Sequence, residues 1–168
     1  MTWDEDVHFY YGFKVLDFYR SLGQDRSYLD FMNLYTYGAA FDLLTAALSR
    51  ISPLGAWETR HLVDALIGIC GIVGTWRVGR LLAGPRAGLL AALLLALTPS
   101  YYGHMFNNPK DIPFAVALIW SLYYTLRLLP DLPRPPMATV LKLGIAVGLA
   151  IGVRVGGLLS LCYLGLAL

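Results

Sequence analysis

The sequence predicts an all-α, multi-pass transmembrane helical bundle with amphipathic juxtamembrane helices in its first external loop. Three observations carry that expectation. The 168 residues are 57% hydrophobic and only 14% charged, with a mean hydropathy of +0.58, leaving too little polar surface to clothe a soluble domain. Four apolar runs approach the roughly 20 residues needed to cross about 30 Å of hydrocarbon. The charges sit in short turns between these runs, and a net charge of only +2 without a basic stripe argues against nucleic acid as a partner.

The first element, residues 1–59, is an extracytoplasmic loop with two amphipathic helices. Tyr11, Val15, Phe18 and Leu22 recur at helical spacing, as do Tyr37, Phe41, Leu44 and Leu48, while Lys14, Asp17, Arg20 and Asp42 fill intervening positions. Gly23, Gly38 and Ser52-Pro53-Leu54-Gly55 supply turns. Eleven tyrosines, many of them here and at Tyr101 and Tyr102, suit an aromatic belt at headgroup depth.

Residues 60–168 form the transmembrane region, with about four spans at 60–82, 87–106, 112–129 and 138–168. The first is bounded by Asp64 near one end and by Arg77 and Arg80 near the other, from which side chains can reach the interface. The second holds the Leu/Ala-rich block Leu89 to Leu97; the third ends in Arg127 and Pro130. The fourth is apolar apart from Lys142 and Arg154. Arg77, Arg80 and Arg86 in one loop, and Arg127, Arg134 and Lys142 in another, place both loops in the cytoplasm. The loop 103–111 and the N-terminal region, with eight acids against four bases, then face outward. A region of that size on the far side needs a preceding span or signal, which the sequence lacks, so the chain is expected to be a fragment or to start upstream. Cys70 and Cys162 lie in apolar runs without ligand spacing and read as packing residues, not as a disulfide or zinc site.

Three polar features are expected to meet on the outer face. Asp4-Glu5-Asp6 precedes the first amphipathic helix, where carboxylates gain about 0.3–1 kcal/mol from the helix dipole; capping alone could account for them. In His104-Met105-Phe106-Asn107-Asn108-Pro109-Lys110-Asp111-Ile112-Pro113, Asp111 and Pro113 can open the third span, but capping leaves His104, Asn108 and Lys110 unexplained. Arg154 stands among glycines in the body of the last span, about 18 Å from Lys142 along a helix. An arginine there costs at least about 2.5–3.5 kcal/mol on insertion scales; a side chain reaching the interface is one reading, and a buried anion-binding group is the better one. Carboxylates beside such cations suit one chemistry: Lys110 and Arg154 hold a lipid phosphate leaving group while a carboxylate takes the proton of an attacking hydroxyl. No phosphate loop, zinc spacing or serine elbow is present.

The order of these features, with Glu58-Thr59-Arg60-His61-Leu62 leading into a span, then Gly79-Arg80-Leu81-Leu82-Ala83-Gly84-Pro85-Arg86 and the leucine-rich run to Thr98-Pro99, and an aspartate before the next span, resembles the GT-C glycosyltransferases. The closest branch holds the protein O-mannosyltransferases and the lipid A aminoarabinose transferases, and residues 60–111 carry the likeness best. The resemblance implies an integral membrane enzyme, in the bacterial inner membrane with its site facing outward. It would move a sugar from a polyprenyl-phosphate donor to a hydroxyl on a protein, lipid or glycan acceptor, usually with inversion. It makes Asp4 the catalytic base with Glu5 beside it, leaving open which of the two acts. Asp111 orients the acceptor or the base, and Arg154 contacts the donor phosphate. Lys110, His104 and Asn108 are assigned to phosphate binding and the site rim. No cofactor is implied beyond the lipid-linked donor, and divalent metal dependence stays open. The family's first span and later helices are missing. Two other readings compete: a non-catalytic subunit or transporter fragment with Arg154 and Lys110-Asp111 lining a path, and an inactive remnant.

Overall fold

The computed structural model describes residues 4–167; the extreme ends of the two outermost predicted segments, residues 1–3 and 168, lie outside them. Helix makes up 77% of the described residues and no strand occurs among them, so the fold class is all-α. In order come α1 (Glu5–Arg20), a 3-10 turn (Leu34–Thr36), α2 (Ala40–Ser49), α3 (Ala56–Ala96), α4 (Pro99–His104), α5 (Asp111–Leu128), a second 3-10 turn (Leu129–Asp131), α6 (Met137–Val153), a third (Val155–Leu158) and α7 (Leu159–Ala167). Two helical stretches, Ala56–Ala96 and Asp111–Asp131, are long and apolar enough to cross a membrane.

The arrangement along α3 is inverted relative to a helix of a water-soluble protein. Along α3, Leu62, Leu66, Ile69 and Val73 face outward, whereas Arg60, Asp64, Gly68, Gly71 and Gly74 are buried. Apolar residues outside and polar or small residues inside are what a lipid solvent selects, since there the tails reward no apolar burial.

α3 covers two of the predicted spans, and it does so as a hairpin. Gly84 takes φ +87° and Ala83 is also non-helical, with Pro85 opening the second limb. Gly79 and Gly88 would stand about 13 Å apart in a straight helix. Instead their backbones touch: a Cβ on Gly88 would sit 2.7 Å from the Trp76 carbonyl oxygen. Only glycine allows this approach. A Gly88→Val replacement should therefore pry the limbs apart at a cost of about 1–3 kcal/mol, seen as a lower thermal midpoint in detergent; an unchanged midpoint would exclude a packed hairpin.

Two predicted spans are interrupted. The second breaks at Thr98, whose hydroxyl bonds back to the Leu94 carbonyl at 2.7 Å, and Pro99 starts α4 because it cannot continue the preceding hydrogen-bond ladder. The fourth is not continuous. α6 stops at Val153, Arg154 is extended at φ −147° and ψ 141°, and Gly156 and Gly157 lie in the 3-10 turn before α7. Arg154 is thus at a helix break with its side chain 38% exposed, and not, as expected, buried in a helix body. A cluster of glycines gives up helix at small cost, and an extended residue lets the guanidinium leave the lipid-facing direction.

α1 packs on α2, α2 on α3 and α6, and α5 lies between α3 and α6. The cap formed by α1 and α2 is knit by Tyr11, Val15 and Leu34. The end of the bundle nearest this cap is knit by Met105, Ile112 and Val116, and the other end by Leu128, Leu143 and Val147. Cys70 and Cys162 are free thiols on exposed positions, and Cys70 lines an apolar groove between the helices.

Candidate functional site

Asp4 directly precedes α1, but its side chain makes no cap bond. It reaches across the chain instead, with its Oδ2 3.3 Å from the Lys110 Nζ. Asp4 keeps the N-cap position, where the helix dipole favours a carboxylate, while that carboxylate is directed to a partner 106 residues away.

Asn108 builds the segment that carries Lys110. Its Oδ1 accepts the backbone N–H of Lys110 at 3.2 Å and of Asp111 at 2.9 Å, which starts α5 where the sequence predicted. Its amide also donates to Asp111 Oδ2 at 3.0 Å and lies 3.3 Å from the His104 ring. The other oxygen of Asp111 receives Arg154 Nη1 at 2.7 Å. The break at Arg154 is what delivers this guanidinium to the start of α5.

Six of the seven predicted site residues therefore form one connected patch: Asp4 to Lys110, and Asp111 to Arg154, Asn108 and His104. Two ion pairs lie side by side with no net charge, and their carboxylate side chains are 67% and 58% exposed. The cations are more covered, Lys110 at 15% and Arg154 at 38%, but the open carboxylate sides keep each pair weak and leave an incoming anion room to compete for the cations.

Glu5 is the exception. Its side chain is 1% exposed and its Oε1 lies 2.5 Å from His61 Nε2 on α3. It belongs to a buried polar layer beneath the patch rather than to the patch.

Sequence reasoning missed that layer. Asp42, read as an intervening polar position of an amphipathic helix, is 3% exposed. It accepts from His8 at 2.6 Å and from Arg60 at 2.7 Å, while Arg60 also donates to Thr45 at 2.9 Å and lies over the Phe41 ring. Burial pushes the Tyr11 phenol up to about 12, with the nearby charge of Asp42 adding to the effect, so it stays neutral beside this layer. Asp64, expected to reach the interface, is 2% exposed and stands within reach of the Asn108 backbone N–H. Spacing puts Phe41, Asp42, Thr45 and Ala46 on one face of α2 and Arg60 and Asp64 on one face of α3, but it does not say that these are the inner faces. Among the described residues, no group of three or more His, Cys, Asp or Glu side chains is placed to hold a metal ion.

From the patch an apolar groove of about 400 Å³ runs between α2, α3, α5 and α6. Pro113 and Val153 flank its end at the Asp111–Arg154 pair. Phe41, Ile67, Val116, Trp120, Ile145 and Leu149 form its walls, and Tyr124 and Lys142 close the far end. The distance from Val153 to Lys142 along α6 is about 16 Å.

The family model described as dolichyl-phosphate-mannose-protein mannosyltransferase matches residues 40–166. The matched stretch takes in Lys110, Asp111, Arg154 and the whole groove, and begins after Asp4 and Glu5. No curated protein and no solved structure matches the chain.

Proposed function

Because the chain belongs to the dolichyl-phosphate-mannose-protein mannosyltransferase family, we propose that it is a multi-pass membrane glycosyltransferase acting outside the cell membrane. It would pass a sugar from a polyprenyl-phosphate donor to an acceptor hydroxyl. The observation that carries this reading is the pair of adjacent, exposed ion pairs at the mouth of the apolar groove. A polyprenyl phosphate has that same polarity: an anion at one end and a long apolar chain behind it.

In this reading the prenyl chain lies between α5 and α6, where each buried CH₂ contributes about 0.8 kcal/mol. The phosphate draws Lys110 from Asp4 and Arg154 from Asp111, with the arginine fork suited to two phosphate oxygens. Asp4, released from its cation, accepts the proton of the acceptor hydroxyl as that oxygen bonds the anomeric carbon. The bond from that carbon to the phosphate oxygen breaks, and the lipid phosphate departs as an anion stabilised by the same two cations. Asp111, freed on one oxygen and still held by Asn108, orients the acceptor. Glu5 anchors α1 to α3 through His61, so Asp4 is the base of the two. Asn108 shapes the segment, and His104 lies at its rim. A protein acceptor matches the family description, while lipid and glycan acceptors share the same hydroxyl chemistry.

Arg154→Leu is the test. In membranes supplied with a polyprenyl-phosphate sugar and a hydroxyl acceptor, this variant should raise the apparent KM for the donor by about tenfold or more, consistent with a lost charged hydrogen bond of about 1.5–3 kcal/mol. The acceptor KM should stay nearly constant. Equal effects on both substrates would remove Arg154 from the phosphate.

A further inference from the structure

The loop between α1 and α2 places Tyr37 against the patch. The Lys110 ammonium lies over the Tyr37 ring, 4.8 Å from its centroid, and the lysine side chain is only 15% exposed although its ion-pair partner Asp4 is 67% exposed. The aromatic face thus supplies much of the cover that the carboxylate does not.

The ring is held in place by its neighbour. A Cβ on Gly38 would overlap the Gly152 carbonyl group and the Val153 nitrogen, so the loop backbone is pressed directly onto the last turn of α6. Gly152 lies two residues before Arg154, and its own Cβ position is 3.1 Å from Ala40 at the start of α2. One backbone contact therefore ties Tyr37, and through it Lys110, to the segment that presents Arg154.

We infer that Tyr37 is a positioning residue for Lys110: its ring keeps the ammonium on the Asp4 side of the patch, apart from the adjacent Asp111, ready for a phosphate. Lys110 and Asp111 are neighbours in sequence, and a long flexible lysine stem could otherwise fold toward the Asp111 carboxylate and compete with Arg154 for it. A ring face attracts the ammonium through its quadrupole without neutralising it, so the cation remains available to an anion. This rests on the phosphate role proposed for Lys110.

A double-mutant cycle tests it, using the full chain in lipid nanodiscs and a polyprenyl monophosphate as probe. Tyr37→Leu should weaken probe binding by about 5- to 30-fold, the range for a partly desolvated cation–π contact. Tyr37→Phe, which keeps the ring, should bind within about 2-fold of the parent. In a Lys110→Met background the Tyr37→Leu loss should vanish. If the loss persists there, or if Phe fails as Leu does, Tyr37 does not act through Lys110 and the inference is overturned. If Lys110→Met weakens binding while Tyr37→Leu leaves it unchanged, the inference falls and the phosphate role of Lys110 stands. If Lys110→Met binds as the parent does, the phosphate role falls and takes the inference with it.

Discussion

Asp4→Asn is expected to lower sugar transfer by roughly 10²- to 10⁴-fold, the usual worth of a positioned general base, with membrane insertion and thermal stability unchanged. An amide has almost the same shape as the carboxylate but cannot take the acceptor proton at neutral pH. Stability should hold because the Asp4 side chain is exposed, makes no cap hydrogen bond and has one cation as its partner, and the N-cap backbone bond survives the change to Asn. Breaking such a pair costs no more than about 1 kcal/mol. Glu5→Gln gives the contrast: its buried contact with His61 makes it a fold variant, which should lose thermal stability and lose activity only as far as α1 loosens. The measurements are transfer rate per folded molecule and thermal midpoint, side by side. Normal turnover by Asp4→Asn, or a shared loss of both quantities in the two variants, would end the assignment of Asp4 as base.

The second large effect is on folding. Asp42→Ala should destabilise the protein by about 3–5 kcal/mol, because it strands the buried Arg60 guanidinium and leaves His8 without its acceptor. That is a large share of the roughly 5–15 kcal/mol that holds a typical domain together. The visible result should be poor accumulation and early unfolding in detergent. Joint replacement of His8, Asp42 and Arg60 by apolar residues of similar volume should recover much of the loss, since no uncompensated charge is then buried. A single Asp42→Ala variant as stable as the parent would mean that the layer is solvated.

Much of the helix pattern was legible in the residues, and the reason is chemical. The Leu/Ala-rich run and the Asp111-Ile112-Pro113 start specify their helices locally, and α5 begins within one residue of its expected place. The meeting of Asp4, Lys110, Asp111 and Arg154 was also foreseeable, because charges beside apolar runs have few places to go. The break at Arg154 was not, since window hydropathy treats Gly148 to Gly157 as apolar whether or not the chain stays helical. Nor was the burial of Asp42. Amphipathic spacing tells which residues share a face, but in a chain whose apolar residues face outward it does not tell which face is inside; only the partners His8 and Arg60, supplied by other helices, decide that.

The unequal hairpin of α3 has a consequence for the lipid around it. Its second limb, from Pro85 to Ala96, rises only about 18 Å before the break at Thr98, well short of the roughly 30 Å of an average hydrocarbon layer. A bilayer wetting that limb must pinch inward, or let water descend toward Thr98 and Tyr101. Hydrophobic mismatch of this sign favours thinner membranes and helix–helix association over contact with a thick hydrocarbon layer.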